Sequence, residues 1–186
     1  MSPAGLRGGE RWLARVLALR GGPPPGAVLI DGRSGSGKTT LAATIAAALG
    51  ARILRVEDLY PGWDGLAAGS RAVPTVLETG RFQRFDWHVG EFAEWRALDA
   101  GGPIVVEGCG ALSTSSLDAA NRFAARAGGG PAWGIWVECP DERRRRRALT
   151  RDGDVFRPHW ERWAAQEEAR FAVTRPRALA RETRYT

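Results

Sequence analysis

Eight consecutive residues, Gly32, Arg33, Ser34, Gly35, Ser36, Gly37, Lys38 and Thr39, constrain this chain more than any other feature. They match G-x-x-x-x-G-K-[ST] at every fixed position. A short apolar run, Ala27 to Ile30, precedes them, and a helical stretch from about Gly37 to Leu49, closed by Gly50, follows. Strand, glycine-rich loop and helix in that order form the context in which such a loop wraps a phosphate chain. The glycines permit backbone conformations that turn several N–H groups inward, and the helix start adds unpaired donors and the positive end of its dipole.

The loop residues through Thr40 are therefore the expected binders of a nucleoside triphosphate, ATP, with Lys38 bridging its β- and γ-phosphates and Thr39 offering a hydroxyl to Mg2+. Lys38 is the only lysine among 27 basic residues; every other one is arginine. Arginine has replaced lysine wherever a cation of either shape serves. The survivor sits where a slender ammonium fits and a planar guanidinium does not.

Short apolar runs alternate with helical periodicity along the rest of the chain. Strands are expected over Ala27 to Ile30, Arg52 to Val56, Pro103 to Val106 and Trp133 to Val137. Helices are expected over Gly90 to Ala100, Ser116 to Ala127, Asp141 to about Arg151, and Pro158 to Phe171. Between Gly62 and Arg84 scattered Gly, Pro and Arg leave only a short helical candidate, Val73 to Thr79, and predict largely irregular, mobile chain. The alternation implies βαβ units, hence an α/β fold of three layers with a mainly parallel sheet, the P-loop NTPase architecture. Residues 1–26 read as an amphipathic helix (Glu10 to Leu19) and a Pro/Gly linker, and 27–186 as one domain with a lid at about 141–157.

In open parallel sheets ligands sit beyond the carboxyl ends of the strands, so acids there are the next candidates. Glu57 and Asp58 end the second expected strand and Glu107 the third. Phosphoryl transfer needs one carboxylate to orient the attacking hydroxyl and another to hold magnesium or its waters. Glu107 is assigned to the metal with Thr39. Glu57 or Asp58 is assigned to the hydroxyl, and the alternative is that these acids are solvated loop residues or helix caps.

Arg143 to Arg147 and Arg151 form a basic run on the helix after the fourth strand. Arg144, Arg147 and Arg151 share one helical face, spaced to line a single anionic site, while Asp141 and Glu142 offer the alternative of a solvated, paired face. Bidentate guanidinium contacts suit phosphate. The run carries no interleaved aromatics and no recognisable nucleic-acid module, so a polynucleotide partner is not expected.

These features together resemble the uridine kinase group of P-loop nucleoside kinases, a branch that includes phosphoribulokinase and a bacterial pantothenate kinase. The resemblance rests on the phosphate loop, the acidic pair followed by Leu59 and Tyr60, the stretch Arg84, Phe85, Asp86, Trp87, and the strand ending Val106, Glu107, Gly108, and spans most of Ala27 to Asp152. It implies a catalytic base at Glu57, where the family has Asp, with Asp58 as the neighbour that could take over. It implies Asp86 as the holder of ribose hydroxyls, with Arg84 beside it, and Arg144, Arg147 and Arg151 as a lid clamping the triphosphate and stabilising transition-state charge. Tyr60, Trp63 and Trp87 are candidates to stack on a base or cover a sugar, against the alternative of core packing.

The resemblance fades beyond Asp152, and the family's nucleoside-recognition segments are shortened. His159, Trp160, Trp163, Glu167 and Glu168 read as a packing helix. The expected activity is transfer of the γ-phosphoryl group of ATP to a small acceptor, a nucleoside first, with a nucleotide, sugar or other metabolite as alternatives. A nucleotide-driven switch acting on a macromolecule would call for an Asp-Glu Walker B and sensor motifs, which are missing. A degenerate binding module would have lost Lys38 or the strand-end acids. Cys109 and Cys139 have no metal-ligand spacing and make no disulfide scaffold, and the N-terminal apolar stretch is broken by Arg11, Arg15 and Arg20. A cytoplasmic setting without membrane spans is expected.

Overall fold

The computed structural model describes residues 22–98 and 101–186, together with Ala14. Apart from Ala14, the helix expected over Glu10 to Leu19 lies outside the described residues. Strand β1 (Ala27–Asp31) leads through the glycine-rich loop into helix α1 (Lys38–Leu49). Then come β2 (Arg52–Arg55), α2 (Leu66–Thr79), β3 (Arg81–Asp86), β4 (Glu91–Ala97), β5 (Ile104–Glu107), α3 (Thr114–Arg126) and β6 (Trp133–Glu138). The chain ends in α4 (Asp141–Phe156), α5 (Trp160–Thr174), α6 (Pro176–Leu179) and β7 (Glu182–Tyr185).

Five strands form one parallel sheet in the order β2-β5-β1-β6-β7. Period-two alternation splits its side chains between two cores. Val28, Ile30, Val105, Ile135 and Val137 pack with Leu41, Ala42 and Ile45 of α1 on one face. Ala27, Leu29, Leu54, Ile104 and Val106 pack with α2, α3 and α5 residues such as Leu77, Phe123 and Trp163 on the other. Both faces are covered, which is why the strands read as continuous apolar runs. The expected three-layer α/β fold is the one observed.

Two expectations are corrected. The segment from Gly62 to Arg84 contains a 14-residue helix, α2, whose Leu66, Val73, Val76 and Leu77 are buried at helical spacing. Pro74 lies inside it and hid it, because a proline reads as a helix start or stop. The expected helix Gly90 to Ala100 is instead strand β4, antiparallel to β3 in a separate two-stranded sheet; residues 99–100 lie outside the described residues. Phe92, Trp95 and Leu98 recur every third residue and imitate a helix. The turn decides otherwise: Asp86 Oδ1 accepts N–H bonds from His88 (2.9 Å) and Val89 (3.3 Å), and Gly90 takes φ 82°.

Candidate active site

The strand ends are aligned by register: Glu107 on β5 sits opposite Ile30 of β1 and Arg55 of β2, so β1, β5 and β2 finish at one level. The glycine-rich loop rises from that edge. Gly35 has φ 77°, and a Cβ there would collide with the Arg144 carbonyl at the base of α4; a Cβ on Gly32 would strike the Val137 carbonyl. Only glycine allows the loop to run this close to its neighbours. Helix α1 starts at Lys38 with no side chain capping its first turn, which leaves backbone donors facing the loop's interior. Ser36 Oγ is buried with no hydrogen-bond partner. An orphaned hydroxyl inside an uncapped nest of amides fits a phosphate chain.

Lys38 Nζ donates to the Arg33 carbonyl at 3.0 Å and lies 3.5 Å from Cys109 Sγ. Burial disfavours its charge, but Cys109, Glu167, Glu107 and Asp31 outweigh that and hold the ammonium above its ordinary range. Thr39 Oγ1 lies 3.4 Å from Glu107 Oε1 and 3.5 Å from Oε2. A hydroxyl and a carboxylate side by side form a hard-oxygen donor pair of the kind Mg2+ takes beside phosphate oxygens.

Glu57 and Asp58 follow β2 in a single 3-10 turn, Val56–Leu59. Both carboxyls are pushed up from their ordinary values, first by loss of surrounding water. For Glu57 the next causes are Glu107, which raises it, and Arg55, which opposes; Asp58 and Arg151 follow, raising and lowering it in turn. For Asp58 the charges within reach are Arg55, Arg84 and Arg96, two of them on the β3–β4 hairpin. Glu57 thus feels the charge of Glu107, Asp58 feels the two hairpin arginines, and Arg55 acts on both.

Each arginine of the expected lid makes its own contacts. Arg144 is buried, donates from Nε to Asp141 Oδ1 at 2.7 Å, and lies over the Trp160 ring. Arg147 Nη1 bonds Thr186 Oγ1 at 3.1 Å and approaches Cys139 Sγ at 3.6 Å. Arg151 is paired with Asp152 at 2.7 Å and carries its charge towards Glu57 and Glu107. Thr40, Gly37, Thr44, Arg147 and Thr186 border a cavity of about 420 Å3 beside the start of α1.

A second cleft, about 480 Å3, is lined by Pro61, Trp63, Phe85, Trp87, Glu91 and Phe92. Trp63 stacks on His159 with centroids 4.2 Å apart, and Trp87 meets Trp63 edge-on at 4.9 Å. Trp87 Nε1 also donates to the Glu57 carbonyl at 3.3 Å, so this wall is tied to the acidic turn. Tyr60 is not on it: the ring is buried in the core and its hydroxyl donates to the Cys109 carbonyl at 2.7 Å. Asp86 closes the hairpin turn, and these backbone N–H bonds from His88 and Val89 hold its carboxyl below the ordinary range. Arg84 lies between Asp86 and Glu94, at 3.8 and 3.7 Å.

Three residues here escaped sequence reasoning. Asp31, fully buried at the end of β1, accepts N–H bonds from Gly32 (2.7 Å) and Gly110 (2.9 Å) at Oδ1 and from Leu112 (2.8 Å) at Oδ2. Burial pushes its carboxyl up to about 6, against those three donors and Lys38. Cys109, pushed up to about 12 by burial, touches Ser34 Oγ at 3.5 Å. Glu167, fully buried on α5, accepts the Ser34 N–H at 2.6 Å. An acid directly before the loop's first glycine was the available signal for Asp31. No local signal marks the other two.

No protein-family model matches the sequence, and no curated protein matches it. Among solved structures, the chain is similar to one described as a possible uridine kinase from Bacillus stearothermophilus, at 14% identity and TM-score 0.57, covering 95% of this chain and 97% of that one. A gluconokinase from Sinorhizobium meliloti is similar at 21% identity and TM-score 0.48, over 87% and 81% of the two chains. Among the described residues no helix is long and apolar enough to cross a membrane. Nearly complete mutual coverage at TM-score 0.57 identifies the fold: the chain has the three-layer α/β P-loop architecture of the first of these structures.

Proposed function

We propose that the protein is an ATP- and Mg2+-dependent small-molecule kinase of the P-loop nucleoside kinase type. The observation that carries this reading is the convergence of Lys38, Thr39 and Glu107 at the strand ends with Glu57 under the charge of Glu107. Similarity in fold to the uridine kinase-like structure is consistent with it. Gly32 to Thr40 hold the triphosphate of ATP, and the cavity beside Thr40 and Arg147 receives the rest of the nucleotide. Thr39 and Glu107 hold Mg2+, which when bound neutralises charge on the phosphate oxygens.

In the reaction, the acceptor hydroxyl oxygen forms a bond to Pγ and the bond from Pγ to the β–γ bridging oxygen breaks. That bond's electron pair leaves with ADP, and the hydroxyl proton passes to the Glu57 carboxylate. Lys38 offsets charge growing on the bridging and γ-oxygens, and Arg151 adds positive charge on the acceptor side of Glu107. Glu57 rather than Asp58 is the base, because only its surroundings include Glu107 and Arg151.

A nucleoside is the favoured acceptor. The cleft walled by Trp63, Phe85, Trp87 and Phe92 offers aromatic faces to a planar base, next to the acidic turn. Cytoplasmic action on a soluble metabolite follows from this reading. The test is a screen of nucleosides, nucleotides and sugars for acceptor-stimulated ADP release with Mg-ATP. A nucleoside giving the largest kcat/KM supports the reading, and ADP release indifferent to every small acceptor overturns it.

A further inference from the structure

Glu167 has no part in the reaction as described, yet it is fully buried against the phosphate loop. Its side chain is completely buried. Oε1 accepts the Ser34 N–H at 2.6 Å and lies 3.3 Å from Cys109 Sγ. Oε2 makes no hydrogen bond; it lies 3.7 Å from Arg144 Nη1 and 3.9 Å from Arg33 Nη1. Arg144 Nη1 is itself buried and makes no hydrogen bond. Enclosing a carboxylate and a guanidinium is costly unless hydrogen bonds complete the pairing. Here the pairing is left one contact short on each partner, at the edge of the site.

The contacts of Glu167 also join three separate elements. Ser34 belongs to the loop, Cys109 follows β5, and Arg144 lies at the root of α4, with its carbonyl against Gly35. A residue that only filled the core at this place would need no charge. Asp141 and the Trp160 ring hold Arg144 on its Nε side, and the Glu167 carboxylate balances the buried guanidinium on its Nη1 side, where one N–H remains free to meet an arriving anion.

We propose that Glu167 is a positioning residue for phosphoryl transfer: it fixes the loop backbone at Ser34 and holds the Arg144 guanidinium beside the loop, where Nη1 can pass to the transferring phosphoryl group. It acts through Arg144 and Ser34 and touches no substrate. The inference rests on the proposed kinase function. It adds the C-terminal helix α5 to the machinery, a segment that the sequence assigned to packing.

The test combines a double-mutant cycle with amide exchange. Glu167→Gln keeps an oxygen for Ser34 but removes the charge that holds Arg144, so kcat should fall roughly tenfold or more while KM for ATP changes less than about threefold. In an Arg144→Gln background the same substitution should cost kcat less than about twofold, because its partner is gone. Glu167→Asp should recover part of the kcat lost in Glu167→Ala. Losses that multiply independently in the double variant overturn the inference. The second readout needs no acceptor: hydrogen exchange at the Ser34 amide should quicken severalfold in Glu167→Ala and stay near wild type in Glu167→Gln. Unchanged exchange in Glu167→Ala overturns the positioning role whatever the activity. A wild type that phosphorylates no acceptor, with the exchange pattern as expected, overturns the proposed function alone.

Discussion

The two halves of the candidate site are built differently. The proposed phosphate side grows out of the central sheet: Asp31 ends β1, Glu107 ends β5, and Lys38 opens α1, all buried, with Asp31 and Lys38 hydrogen-bonded to backbone and Glu107 beside the Thr39 hydroxyl. The proposed acceptor side hangs from a two-stranded hairpin outside that sheet, and Trp87, Val89, Phe92 and Trp95 stay exposed on it. A site half fixed by the sheet and half carried on an appended hairpin can keep one donor chemistry while its acceptor changes. Substitutions should therefore act on catalysis with ATP on one side and on acceptor selection on the other.

The largest effect belongs to Lys38. Lys38→Ala should lower kcat by roughly 10³-fold or more, with the acceptor's KM little changed, in steady-state ADP release. A loss confined to acceptor KM would break the division. Glu57→Gln comes next, lowering kcat roughly 10²-fold, while Asp58→Asn stays within about threefold. Because the Glu57 carboxyl is pushed up, the acid limb of the wild-type kcat profile should lie above the ordinary glutamate value of about 4.5 and vanish in Glu57→Gln. Equal effects of the two substitutions would mean that the different charges around the two acids carry no mechanism.

On the hairpin side, Trp87→Ala should raise the acceptor's KM roughly tenfold, the order expected for one aromatic stack, and leave KM for ATP alone. The smallest effect is on stability. Asp31→Asn keeps one oxygen and turns an amide nitrogen towards a backbone N–H, for a loss of about 1–3 kcal/mol in denaturant unfolding. With its folded-state value at about 6, Asp31 binds a proton more tightly folded than unfolded, so its contribution to stability falls as pH rises from 5 to 7. The deficit of Asp31→Asn should accordingly be roughly 1 kcal/mol larger at pH 5 than at pH 7.

The same contrast explains what was legible in the sequence. The phosphate loop, the four expected strands and the position of Glu107 followed from local pattern, because burial on both sheet faces imposes continuous apolar runs. The hairpin was not legible, since Phe92, Trp95 and Leu98 mimic helical spacing and the deciding contacts are turn bonds to Asp86. Strand β7 was missed because Glu182–Tyr185 is polar and joins the sheet only by pairing with β6. Adjacent acids such as Glu57 and Asp58 look equivalent until the fold sets different charges around each. Glu167 and Glu168 stand side by side in a helix read as packing, and only tertiary burial distinguishes them.

The most direct measurement of the central claim follows the γ-phosphate itself. With γ-labelled ATP, Mg2+ and the best small acceptor, the label should appear on the acceptor in proportion to ADP formed, and in Lys38→Ala that transfer should disappear. Label found only in inorganic phosphate, with turnover rising on addition of DNA, RNA or protein, would contradict the kinase reading.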